Sequence, residues 1–335
     1  MKKITFLRLK PSKFGGAENY LVRLTNELKN KNIDFEIKYS TAPKFLSSWL
    51  KAIWYNLEVC IPKKDEFYFS LERVVCPDIY RAGDGVHKVF LEVEKKSKLN
   101  PLHFVYLFIE KRMFNNAKKI IANSKMVKQQ IIDTYHINPS KIEVIYNGIP
   151  LKPLSDTTKL KKEFNIKDEK ILLYVGSGFQ RKGVKELLEI ASKLKNYKLI
   201  VVGKEKKIEK YKKLAQELKV NAIFTGPRSD VDKFYSLADI FIFPTHYEPF
   251  SNVILEAMSF KCAVLTTLQN GASEILDKKF VMNNPKDYKI DLIQKCIDDD
   301  NFLNEIKAKN YKIAQGFSIQ KNVDETLKVI NETLN

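Results

Sequence analysis

The sequence predicts an α/β protein built from two parallel-sheet domains. Three observations lead there. A chain of 335 residues has room for about two domains. Short apolar runs alternate with stretches of helical periodicity, the pattern of repeated βαβ units. A polar, Lys-rich stretch over 151–169, with Pro153 inside it, separates two such series.

In the first series, 3–9 reads as a strand, and the loop from Lys10 to Gly16 holds Pro11, Gly15 and Gly16. Leu21, Leu24 and Leu28 recur at helical spacing and predict a helix over 17–31, before a strand at 33–39. Strands near 66–70 and 73–76, a helix near 117–134 and a strand at 142–145 follow, and Tyr146–Pro150 closes the unit. The second series is clearer. Strands at 170–176, 197–203, 221–225, 239–243 and 263–267 enclose helical patterns at 183–195, 206–219, 230–237 and 252–260. This alternation is Rossmann-like. A helical region over 288–335, broken near Gly316, ends the chain.

Leu, Ile, Val and Phe are plentiful, so disorder is not indicated. The net charge is +18, and residues 1–150 hold 26 Lys+Arg against 15 Asp+Glu. Such charge favours anionic partners (nucleic acid, acidic lipid or a phosphorylated substrate), or reflects solvated lysine faces. Cys60, Cys76, Cys262 and Cys296 lie far apart with no C-x-x-C pair, which argues against zinc; a reduced cytosol is the simplest setting. Residues 1–8 read as a first strand, not a signal peptide, and no apolar run approaches the roughly 20 residues of a spanning helix.

The richest segment runs from Glu248 through Pro249, Phe250, Ser251 and Asn252 to Glu256. It follows the strand at 239–243 and opens an apolar helix, so it sits at the carboxyl edge of a sheet. N–H groups at a helix start attract anions. Two acids beside an anion site make sense if the ligand also carries hydroxyls, as a sugar diphosphate does. The loop Gly176–Gly183 also joins a strand to a helix. Its glycines admit a phosphate and Arg181 and Lys182 supply charge, or it is a turn with two solvated cations. Arg181 occupies the third glycine position of a dinucleotide fingerprint, and no Walker ending is present. Gly15 and Gly16 permit close ligand approach in the first domain, and Glu18 either accepts from a hydroxyl or stabilises its helix start. Tyr80–His87 gathers an arginine, glycines, Asp84 and His87 into one loop with site character. Asp230 and Asp232 read as helix capping by Ser229 or Asp230 before a metal pair. Aromatics over 101–109 followed by Lys111 and Arg112, and Phe45, Trp49 and Trp54 among lysines, suit a membrane interface or a core helix with a basic face.

Together these features resemble the retaining glycosyltransferases of family 4. The E-x7-E spacing of Glu248 and Glu256 is the most specific mark, and Thr266-Thr267 and Gly271–Glu274 fit the same pattern. Val175–Gly183, taken with Gly203-Lys204, is most similar to lipopolysaccharide core glucosyltransferases. The resemblance implies the GT-B fold, two Rossmann-like domains facing across a cleft. It implies an acceptor-binding domain at 1–150, a nucleotide-sugar domain at 151–316 and a helix over 317–335 crossing back. Arg181 and Lys182 would hold the donor diphosphate, and Glu256 the ribose. Glu248 would sit at the donor sugar, near the N–H groups of Phe250, Ser251 and Asn252. Gly15, Gly16 and Gly176 would line the donor site, with Arg228 near the base and Asp84 or His87 facing the sugar. The implied enzyme is a metal-independent retaining hexosyltransferase without cofactor. It takes a nucleotide sugar, UDP-glucose foremost, to a lipid-linked acceptor such as lipopolysaccharide core. It would be cytoplasmic, peripheral on the anionic inner membrane, with no nucleic-acid partner. A nicotinamide-dependent oxidoreductase using Gly176–Gly178 and a non-catalytic basic nucleic-acid-binding protein stand as alternatives.

Overall fold

The computed structural model describes residues 3–11, 16–61, 63, 66–95 and 99–334. The chain divides into two compact units, one of residues 1–148 with 319–335, the other of 149–318.

The first unit runs β1 (Ile4–Arg8), α1 (Gly16–Asn30), β2 (Phe35–Tyr39), α2 (Ser48–Cys60), β3 (Phe67–Ser70) and β4 (Ile79–Ala82). It continues with α3 (His87–Val93), α4 (Pro101–Asn116), β5 (Lys119–Ala122), α5 (Lys125–Tyr135) and β6 (Ile142–Val144). Its six strands form one parallel sheet in the order β2-β1-β3-β4-β5-β6. Because β1 has β2 on one side and β3 on the other, the connections reverse there.

The second unit begins with α6 (Thr158–Glu163) inside the polar stretch. Then come β7 (Lys170–Val175), α7 (Val184–Ala191), β8 (Tyr197–Val202), α8 (Ile208–Glu217), β9 (Ala222–Gly226) and α9 (Val231–Leu237). The series ends with β10 (Ile240–Phe243), α10 (Asn252–Ser259), β11 (Ala263–Thr267), β12 (Val281–Met282), α11 (Ile290–Asp298) and α12 (Asp300–Gln315). Its sheet is parallel, in the order β12-β11-β10-β7-β8-β9. Leu172, Leu173, Leu199, Ile200, Phe241 and Leu265 are fully buried, as strands covered by helices on both faces require.

The last helix, α13 (Ile319–Leu334), belongs to the first unit. Val323, Leu327 and Ile330 join the core of Phe6, Leu24 and Phe69. Tyr20 and Thr326 share a buried hydroxyl bond at 3.0 Å, and Asn322 donates to the Tyr146 carbonyl at 2.6 Å. Arg81 is also structural: it stacks 3.8 Å over the Tyr20 ring and donates to Asn147 at 2.7 Å.

Three expectations change. The strand placed at 73–76 is a connection, and the sheet strand starts at Ile79. Asn56 takes up that connection instead of a ladder: its amide donates to the Arg73 carbonyl at 3.1 Å and accepts from Val75 N–H at 2.8 Å. The helix placed over 117–134 splits into β5 and α5. Ser124 accepts from Val127 N–H at 3.1 Å and caps α5 there, while Ile120 and Ile121 pair with β4 and β6. Cys60 and Cys76 form a disulfide with Cα atoms 5.7 Å apart. The α2–Asn56 contacts draw these residues together across a separation of 16. That pairing removes the ground for inferring a reduced setting from cysteine spacing.

Candidate active site

In the second unit β7 and β10 are sheet neighbours although β8 and β9 separate them in sequence. The loops after β7 and β10 therefore leave a reversal point at the carboxyl edge, where open α/β sheets bind ligands. Gly176, Arg181, Lys182, Glu248, Phe250 and Ser251 all lie on these two loops.

The loops are joined through residue 181. Its carbonyl accepts from His246 N–H at 2.8 Å and from the Thr245 hydroxyl at 3.1 Å. Its guanidinium donates from Nη1 to Glu248 Oε2 and to the Tyr247 carbonyl, each at 2.6 Å. Lys182 Nζ stands 3.7 Å from the same carboxylate oxygen and 5.5 Å over the Phe243 ring. Two largely buried cations thus share one carboxylate. One positive charge is left over in a partly desolvated crevice, an arrangement that attracts an anion. Gly176 lies beneath: a Cβ there would come within 3.1 Å of both the Lys182 stem and the Tyr174 hydroxyl.

Glu248 is held by its backbone. Its N–H donates to the Gln269 carbonyl at 2.9 Å, and its carbonyl accepts from Gly271 N–H at 3.0 Å. Asn270 between them accepts from Ser251 N–H at 3.3 Å and from Ala272 N–H at 3.1 Å. The Ser251 N–H, expected to serve a ligand, is therefore spent inside the protein. Asn270, Thr245 and His246 were not singled out in the sequence; the Asn270-Gly271 turn is the one local signal for the first. Asn252 opens α10, and Glu256, half-buried one turn further, accepts from the Tyr235 hydroxyl at 3.0 Å.

Arg228 is placed apart from this group. It follows β9, the edge strand, two positions from β7. Its guanidinium pairs with both oxygens of Asp230, at 2.9 and 3.0 Å, and with Glu163 at 3.2 Å. Asp230 consequently makes no side-chain cap to α9, which corrects the capping expectation.

In the first unit Gly15 lies outside the described residues. Gly16 begins α1 beside the β1/β3 reversal, and Glu18 faces Arg8 at 3.5 Å. Asp84 is exposed in the turn after β4. His87 instead starts α3 with its ring buried, packed on Phe90, His103 and Tyr106. The backbone N–H of His87 donates to both oxygens of Glu110, at 2.8 and 3.1 Å. Glu110 also accepts from Tyr135 at 2.7 Å and Arg73 at 3.3 Å. It is a fully buried acid, and its bonding partners are too distant along the chain to mark it in the sequence.

Burial, with the charge of Arg73 and the neighbouring His103, lowers the His87 pKa to about 4, so its imidazole is neutral at pH 7. The unfolded chain protonates near 6.5 and the folded chain only near 4, so stability falls as pH drops through that window. The full penalty is about 3 kcal/mol. We expect the first unit of the wild type to lose more thermal stability between pH 7 and pH 4 than His87→Gln. Parallel losses would show that His87 ionises as freely as in the unfolded chain.

A Rossmann-like unit with two cations at its reversal point has the chemistry to attract an anionic ligand. The family model described as glycosyl transferases group 1 matches residues 156–313, and that described as Glycosyltransferase Family 4 matches 83–152. The chain carries glycosyltransferase group 1 and family 4 domains. It is 31% identical over 238 residues to the Staphylococcus aureus capsular polysaccharide biosynthesis glycosyltransferase CapM, covering 65% of this chain and 62% of that one. It is 31% identical over 209 residues to the lipopolysaccharide glucosyltransferase WaaG of Escherichia coli K12, covering 57% and 55%. The chain thus spans less than two thirds of either relative in these matches. Among solved structures, WaaG superposes with a TM-score of 0.81 at 19% identity, covering 98% of this chain and 99% of that one. Anabaena HepE in complex with UDP-glucose gives 0.76 at 18% identity, covering 99% and 100%. These superpositions establish the GT-B fold.

Proposed function

We propose that the chain is a retaining, metal-independent hexosyltransferase that moves glucose from UDP-glucose to a lipid-linked saccharide of the lipopolysaccharide-core type. The observation that carries the reading is the Arg181–Lys182 pair gathered on Glu248 at the reversal point. Cleaving the bond between sugar and diphosphate builds negative charge on the departing UDP and oxocarbenium character on the sugar. Fixed cations stabilise that leaving group without a metal. On this reading the diphosphate competes with Glu248 for Arg181, and the released Glu248 carboxylate turns to the sugar. Glu256 accepts from the ribose. WaaG, a lipopolysaccharide glucosyltransferase, and HepE, solved in complex with UDP-glucose, support the donor class. The family matches favour this reading over the oxidoreductase and nucleic-acid-binding alternatives.

No helix among the described residues is long and apolar enough to cross a membrane. A lipid-linked acceptor would put the chain peripherally on the cytoplasmic face of the inner membrane, with its positive charge toward anionic lipid.

A thermal-shift screen against UDP-, GDP- and ADP-glucose tests the donor, since only a bound ligand raises apparent stability. We expect UDP-glucose to give the largest shift and Glu256→Ala to weaken its binding about tenfold, the value of one lost charged hydrogen bond. Tyr235→Phe removes the same internal bond and leaves the carboxylate, so it should retain affinity. Unchanged affinity in Glu256→Ala would refute the assignment of Glu256.

A further inference from the structure

Helices α2 and α4 enclose an apolar groove of about 610 Å³ in the first unit. The size is that of a small-molecule pocket. Its rim is hydrophobic and open: Leu57 is 55% exposed, Ile61 74%, Phe104 60% and Phe108 58%. Helix periodicity accounts for the geometry. Residues 53, 57 and 61 recur at i, i+4 on α2 and its C-cap, and 104, 108 and 112 do so on α4, so two stripes face one space.

The chemistry of the lining limits the occupant. Asn56 and Arg112 are its polar side chains. The Asn56 amide is already bonded to the Ala52, Arg73 and Val75 backbone, so the polar side chain of the floor is engaged within the protein. Arg112 lies 4.5 Å over the Phe108 ring and has no ion pair among the described residues, and exposed Lys111 adjoins it. A satisfied, apolar trough ending at an uncompensated guanidinium matches an amphiphile with a hydrocarbon chain and an anionic head.

We infer that this groove takes one hydrocarbon chain of a phosphate-headed membrane lipid, with the phosphate on Arg112. The site lies wholly within the first unit and is separate from the Arg181–Glu248 crevice. It rests on the proposed function only for why a glycosyltransferase would hold a lipid; the groove's chemistry stands alone.

The test uses the full chain and monomeric dodecyl phosphate below its micelle concentration, with dodecanol and inorganic phosphate alongside, read by calorimetry. Saturable binding of one dodecyl phosphate, weaker binding of dodecanol and none of phosphate are expected. Phe104→Ser/Phe108→Ser should lose about tenfold or more in affinity through lost apolar contact. Arg112→Ala should lose about fivefold or more for dodecyl phosphate and leave dodecanol unchanged. Both variants alter exposed positions, and an unchanged thermal shift with UDP-glucose would show that they fold. Failure to bind the amphiphile with that shift intact overturns the groove and leaves the donor reading standing. A missing UDP-glucose shift with amphiphile binding intact does the reverse. Equal binding by wild type and Phe104→Ser/Phe108→Ser, or a self-association that this variant abolishes in place of amphiphile binding, also overturns the inference.

Discussion

Arg181→Ala is expected to lower kcat for sugar transfer by about 10²–10³, the cost of removing one fixed charge from a developing anion. The residue donates a 2.6 Å bond to the Tyr247 carbonyl, which a diphosphate displacing Glu248 would leave in place, so its head is held by the protein itself. Such preorganisation acts on the transition state more than on the bound donor. Initial rates with UDP-glucose should therefore fall in kcat and in kcat/KM together, while donor affinity changes by a smaller factor. Arg181→Lys keeps the charge and loses the planar fork, and should recover only part of the rate. Lys182→Ala should be milder in its effect on the protein, because Lys182 stands 3.7 Å from the shared carboxylate. If Arg181→Ala raised KM and left kcat intact, the residue would bind donor and transition state alike, and the proposed leaving-group role would fall.

Gly183→Ala is expected to cost the second unit on the order of 3–5 kcal/mol of stability, the range of severe core disruption. Gly183 has a φ of +77° and precedes α7. A Cβ there would lie 1.8 Å from the Pro244 carbonyl oxygen and 2.6 Å from its carbon, so backbone would have to move. The two segments forced apart are those that carry Arg181 and Glu248. Gly178→Ala is the control. Its φ is +79°, yet nothing lies within 4 Å of a Cβ, so it should cost only about 1–2 kcal/mol of backbone strain. Thermal unfolding followed by circular dichroism separates the two. Similar losses would mean that the chain relaxes around the Pro244 contact, and donor affinity should then survive in Gly183→Ala.

The second unit was legible because its strands are buried on both faces. Runs such as Ile171–Val175 and Ile240–Phe243 are continuously apolar and stand out from amphipathic helices. The first unit was less so. Ile120, Ile121 and Ala122 suit a strand or a helix, and pairing with β4 and β6 decides between them. Val74 and Val75 look like a strand, but Asn56 supplies the bonds that a ladder would. Glu248, Arg181 and Lys182 could be picked out because charged residues and glycines cluster at strand ends. Asn270 and Glu110 could not, because their partners lie 19 and 23 residues away.

By itself, then, the sequence determined the α/β class, the loops rich in chemistry and the acids and cations that those loops carry, since periodicity and composition are local. Tertiary structure decided the rest. It placed Lys182 and Arg181 on one carboxylate, tied Arg228 to Asp230, buried His87 against His103 and joined Cys60 to Cys76. It also set the stripes of α2 and α4 around a common groove. Each depends on which strands and helices become neighbours, and that is fixed by burial of the whole apolar surface, a property no short segment contains.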